Sequence, residues 1–193
     1  MEARLDAVAK ERVFLMAHSQ QRDFFEKLQG EIPEAFAMTR VLEVGSLDIN
    51  GTVRDFFSAS EYVGVDVAPG KGVDVVAQGE DLDYPDDSFD VAVSAECFEH
   101  NPEWVATFEN MWRMSSKYVI MTCASDGRAE HGTRRSSPGS SPLTLDWDYY
   151  RNLNEDDFRA EFDLDAMFDE YYFEYNPTSC DLYFYGIKAP NAS

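Results

Sequence analysis

The sequence predicts an α/β fold: a mostly parallel sheet with helices on both faces and an antiparallel hairpin at its C-terminal edge. Three observations carry this. Short apolar, β-branched runs alternate with longer segments from residue 40 to residue 122, and such alternation builds parallel sheets covered on both sides. The first run ends directly on Gly45, which lets the backbone approach a ligand at the strand end. Two aromatic runs close the chain, spaced as a hairpin.

Taken in order, residues 2–16 and 19–29 read as amphipathic helices. Leu5, Val8, Val13 and Leu15 lie on the first, and Phe24, Phe25 and Leu28 on the second. Gly30 and Pro33 end the second. Residues 40–44 form the first strand. A helix is expected after Gly51, carrying Val53, Phe56 and Phe57. Residues 62–65 give a second strand ending at Asp66, 73–76 a third and 89–93 a fourth. The link from residue 66 to residue 72 is too short for a crossover helix, so the third strand is expected as a short edge strand. Residues 102–114 read as a helix whose stripe of Trp104, Phe108, Met111 and Trp112 is core packing. Residues 117–122 form a fifth strand. Residues 124–142, rich in Gly, Ser and Pro, read as a long loop and a candidate lid. Residues 154–168 resume helical spacing through Phe158, Phe162 and Met167, and 171–175 with 182–187 give the hairpin. The last residues, from 189, read as a frayed tail. The division expected is one domain over 1–193: N-terminal helices (1–30), a ligand-binding core (40–123), a lid loop (124–142), and a C-terminal helix and hairpin (143–187).

Composition narrows the function. A chain of 193 residues, 44% hydrophobic and 27% charged, buries a core of ordinary size. No stretch approaches the ~20 apolar residues of a membrane span, and the N-terminus lacks a signal peptide's apolar run. Cys97, Cys123 and Cys180 form no CxxC pair. Reduced thiols and a cytoplasmic location are expected. The net charge of -21 disfavours nucleic acid as a partner and points to solubility, with adaptation to high salt as one form of it, or to a cationic or neutral partner. It leaves the oligomeric state open.

Gly45 and Gly51 bracket the turn after the first strand, and Asp66 ends the second strand about 20 residues on, where an acid takes ribose hydroxyls. These features alone fit a nicotinamide dinucleotide as well as another nucleoside cofactor. Leu47 stands where a dinucleotide fingerprint has its middle glycine, which argues against a pyrophosphate. The stretch 79–90, GEDLDYPDDSFD, resembles the acidic "EDLPFPDxSFD" segment of small-molecule class I methyltransferases, and 93–102, VSAECFEHNP, resembles their "LEHxPD" segment. Four motifs in order across 40–105 make the chain similar to class I S-adenosylmethionine-dependent methyltransferases, with a Rossmann-like sheet. The resemblance implies S-adenosylmethionine as cofactor. Glu43, Gly45 and Gly51 would frame its methionine part and Asp66 its ribose. Gln78, Asp81 and Leu82 would wrap the adenine, with Ser94 at the end of the fourth strand. Gln78 replaces the family's usual Asp.

The acceptor side is less determined. Methyl transfer needs placement more than acid–base machinery, because the sulfonium is already activated. If a helix begins near Glu96, then Glu96, Glu99 and His100 share one face. Two carboxylates and an imidazole could hold a divalent metal, with His131 from the loop completing the site. The pattern resembles quinone-biosynthesis O-methyltransferases and the enzymes that methylate the 2′-hydroxyl at small-RNA 3′ ends. His100, Glu96 and His131 are the candidate catalytic residues, His100 as a base if no metal binds. Arg128, Arg134 and Arg135 suggest an anion patch. The expected activity is methyl transfer to a small-molecule hydroxyl. The alternatives are a non-catalytic S-adenosylmethionine-binding protein, a metal-dependent RNA 2′-O-methyltransferase, or, least, a nicotinamide oxidoreductase.

Overall fold

A computed structural model describes residues 19–37, 40–59 and 61–189. The helix expected over 2–16 and the tail beyond 189 lie outside the described residues. One seven-stranded sheet organises the rest, in the order β3-β2-β1-β4-β5-β7-β6. Its strands are β1 (Arg40–Val44), β2 (Glu61–Asp66), β3 (Val75–Val76), β4 (Phe89–Ala95), β5 (Ser115–Ala124), β6 (Phe168–Asn176) and β7 (Asp181–Lys188). The first five run parallel. β7 lies antiparallel against β5, and β6 against β7.

The strand order turns at β1, which pairs β2 on one side and β4 on the other. Open α/β sheets bind ligands beyond the carboxyl ends of the strands at such a switch point. The two faces carry separate apolar layers. On one, helix α1 (described over 19–31) brings Phe24, Phe25 and Leu28 against Val41, Val91 and Ile120. On the other, α2 (Trp104–Met114), α3 (Glu155–Glu161) and α4 (Leu164–Met167) pack on Leu42, Val44 and Met121. The expected stripe is core: Trp104, Phe108 and Met111 are buried, while Trp112 is half-buried and donates Nε1–H to the Met167 carbonyl at 3.0 Å.

Several expectations are corrected. The segment after Gly51 forms only a 3-10 turn, Val53–Phe56. Val53 and Phe56 still reach the core, so one turn buries the apolar side chains that the expected helix would have buried. β3 is shorter than expected, a two-residue edge. The helix over 154–168 is two helices broken at Phe162–Asp163; Asn154 caps α3 with a capping box and Asp163 caps α4 by accepting from Ala166 N–H. No helix begins at Glu96. That residue takes the left-handed conformation, φ +54, and a 3-10 turn, Phe98–His100, follows.

Candidate functional site

The strand-end cleft is built from β1, β2 and the turn after β4. Val44, Gly45, Val65 and Asp66 from the strand ends line it, with Cys97 and Asn101 from the turn after β4. Val67, Ala77, Gly79 and Glu80 add to the lining. Thr144 and Trp147, from the long segment after β5, complete it. Gly45 sits at φ +82, and a Cβ there would lie 2.5 Å from Cys97 Cβ, so only glycine fits. Asp66 ends β2 with its carboxylate oxygens accepting from Leu47 N–H at 3.0 Å and Val67 N–H at 2.8 Å. Burial raises its pKa, and those two bonds oppose the rise.

The remaining expected cofactor residues lie around the cleft rather than in its lining. Glu43 is a buried residue of β1 that accepts from Tyr62 O–H at 2.8 Å, and burial pushes it up to about 7. Gly51 is exposed, and its N–H donates to Asp48 at 2.9 Å. Gln78 donates to Asp81 at 2.8 Å. Leu82 is a core side chain whose carbonyl accepts from Asn110 and Arg113. Ser94 is buried and ties β4 to β1 through a 2.8 Å bond to the Val44 carbonyl. Thr144 and Trp147 had no sequence signal, since each enters the cleft through a loop whose path no local pattern encodes; Cys97 lies within the 93–102 motif, but nothing in the motif singled it out. A hollow of about 450 Å³ beside α3 and α4 is larger but open and remote from the strand ends.

Beside the cleft is a second constellation, built from two of the segments that line it. Glu99 and His100 come from the turn that supplies Cys97 and Asn101. His131 comes from the segment that supplies Trp147. One ligand atom each from Glu99, His100 and His131 lies within 4.8 Å of the others. Glu99 Oε1 is 3.9 Å from His131 Nε2 and 4.0 Å from His100 Nε2. Both Glu99 oxygens are buried without a hydrogen-bond partner, as is Oε1 of Glu96. Leaving such groups unpaired is costly, so this site fits a bound cation. Burial, then the nearby Asp181, holds the Glu96 carboxyl well above the usual range, and burial pushes Glu99 up to about 7. Burial, with His131 beside it, holds His100 at about 3, and burial also lowers His131. His100 is therefore not a base poised at neutrality; a neutral imidazole is the metal-binding form. Glu96 stands outside the three-residue cluster, because its left-handed backbone replaces the helical face that would have aligned it.

The loop arginines do not form an open anion patch. Arg128 pairs with Asp181 at 2.9 Å, Arg134 with Asp146 at 2.9 Å and Arg135 with Glu130 at 3.1 Å.

Residues 29–120 match the family described as a methyltransferase domain. Among solved structures, magnesium protoporphyrin IX methyltransferase from Synechocystis, with bound S-adenosylhomocysteine, superposes with a TM-score of 0.62 at 9% identity, covering 92% of this chain and 86% of that one. YcgJ from Bacillus subtilis gives 0.56 at 14% identity, covering 86% and 99%. A phosphoethanolamine N-methyltransferase from Haemonchus contortus gives 0.55 at 13% identity, covering 86% of this chain and 53% of that one. No curated protein matches the sequence. The sheet with its switch-point cleft defines a Rossmann-like methyltransferase fold. The domain match over residues 29–120 falls on the part of the sheet that builds most of the cleft, and it makes the enzyme similar to methyltransferases in that segment.

Proposed function

We propose that this enzyme methylates a hydroxyl oxygen of a small-molecule acceptor, with a divalent metal held by Glu99, His100 and His131 and Glu96 beside them. The observation carrying the reading is the buried Glu99 carboxylate, with both oxygens unpartnered and Oε1 facing two imidazoles, next to the strand-end cleft. A divalent ion supplies Lewis acidity that lowers a hydroxyl's pKa. S-adenosylmethionine supplies the activated methyl group. Asp66 takes the ribose hydroxyls, while Glu43, Gly45 and Gly51 frame the methionine part. Gln78, Asp81 and Leu82 border the adenine end, and Ser94 fixes the floor. Trp147 and Thr144 shield the cleft from water. The acidic surface disfavours an RNA acceptor. Among the described residues no helix is long and apolar enough to cross a membrane, and three free cysteines suit a reducing, cytoplasmic setting.

The test is a screen of hydroxylated small molecules with methyl-labelled cofactor, with and without chelator. Transfer to oxygen that chelator abolishes and a divalent ion restores is the expected result. Chelator-insensitive transfer, or transfer to nitrogen or carbon, would overturn the reading.

A further inference from the structure

Three carboxylates, Glu96, Glu99 and Asp181, are packed together beside the cleft, and Arg128 is the cation whose charge bears on all three. We propose that Arg128 and Asp181 are positioning residues of the metal site: Asp181 fixes the guanidinium, and the guanidinium fixes the turn that delivers His131 to Glu99 and His100. The proposal rests on the metal reading above.

Asp181 opens β7, is 1% exposed and lies opposite Ala124 of β5, so the sheet itself holds it. Arg128 Nη1 donates to Asp181 Oδ1 at 2.9 Å and to the Ser179 carbonyl at 2.7 Å. The main chain around Arg128 is tied down as well. Its N–H donates to the Ser125 carbonyl at 3.0 Å, and Ser125 N–H donates to the Cys180 carbonyl at 2.8 Å. Its carbonyl accepts from Asn152 Nδ2 at 2.9 Å. The segment leaving β5 is thus anchored to the β6–β7 turn at Arg128, three residues before His131.

The anchored turn also sets the imidazole. His131 Nδ1 lies 3.1 Å from the Ala129 carbonyl. A carbonyl only accepts, so Nδ1 carries the proton and Nε2, facing Glu99, keeps its lone pair. Outer partners of this kind orient metal ligands, and their loss typically costs about ten- to a hundredfold in metal affinity.

The test titrates Co²⁺ into the full chain, following both affinity and the visible spectrum, which reports imidazole coordination. Asp181→Asn, close to isosteric, and Arg128→Gln should each weaken Co²⁺ by about ten- to a hundredfold. Each should shift the spectrum toward that of His131→Ala. In the His131→Ala background neither should add a further loss, since both act through that ligand. Near-ultraviolet circular dichroism checks that the variants are folded. Wild-type affinity in both variants, or full additivity with His131→Ala, would overturn the proposal and leave the metal reading intact. A wild-type chain that takes up no Co²⁺ overturns both.

Discussion

Asp66 shows how a single side chain does two jobs. It lines the cleft and also accepts from Leu47 and Val67 N–H, so it shapes the loop after β1. Asp66→Ala should weaken S-adenosylhomocysteine binding by about 1–3 kcal/mol, the scale of unpairing buried polar groups; unchanged affinity by calorimetry would refute the assignment. Glu43 makes a different prediction. Burial lifts it from 4.5 to about 7 in the folded chain, so between those values the folded state holds a proton that the unfolded state has lost. Its contribution is therefore complete below about pH 4.5 and is lost as pH rises through about 7. Glu43→Gln removes that loss while leaving Tyr62 an acceptor, and should be the more stable protein at pH 8 by about 2–3 kcal/mol. The gain should vanish near pH 4.5. Urea titrations across this range check it, and a pH-independent difference would contradict it. That Gly45 and Asp66 would border the strand-end cleft was legible, because motif order fixes residue type near a strand end, whereas the meeting of Glu99 and His100 with His131 from a distant loop was suggested by the resemblance alone. The geometry of Glu96 was not legible, because a left-handed residue breaks the helical spacing used to align it.

At the scale of elements, the strands were legible because apolar β-branched runs ending in Gly or Asp leave few alternatives, and the final hairpin followed from its two aromatic runs. The expected helix after Gly51 failed because burying Val53 and Phe56 needs only one turn. The long segment between β5 and α3 was legible as a loop but not as a wall. Its role depends on Thr144, Trp147 and His131 crossing to elements far away in the chain. Gly132 is the tight point of that crossing. It has φ +65, and a Cβ there would lie 2.5 Å from His100 Cε1 and 2.7 Å from Ser141 Cβ. Gly132→Ala should cost about 1–3 kcal/mol of local strain and push the segment off His100. Turnover should fall while the sheet's melting stays close to that of the parent; full turnover would mean that the segment need not sit down on His100. Residues 124–142 are expected to act as a lid. Hydrogen exchange there should be fast in the free protein and slow when cofactor and acceptor are both bound. Equal protection in both states would count against a lid.

At the scale of the whole molecule, the charge of -21 sets the terms of stability. The acids are spread along the chain, and many of them, including Asp83, Glu109, Glu161 and Asp169, lie on exposed surface. The loop arginines are already paired with Glu130, Asp146 and Asp181, so they do little to offset that surface. Like charges at this density repel in the compact state more than in the expanded one. Screening should relieve the difference, because the Debye length falls from about 10 Å at 0.1 M salt to about 3 Å at 1 M. The melting temperature should therefore rise between 0.1 M and 1 M potassium chloride. Chloride is the fitting anion, since sulfate would strengthen apolar burial in any protein and confuse the cause. The second arm replaces Asp83, Glu109, Glu161 and Asp169 together with their amides, lowering the net negative charge without touching the core or the cleft. That variant should start higher at 0.1 M and gain less on going to 1 M, converging on the parent at high salt. If the parent's melting temperature does not move with chloride, or the amide variant gains as much as the parent, surface repulsion does not limit this fold.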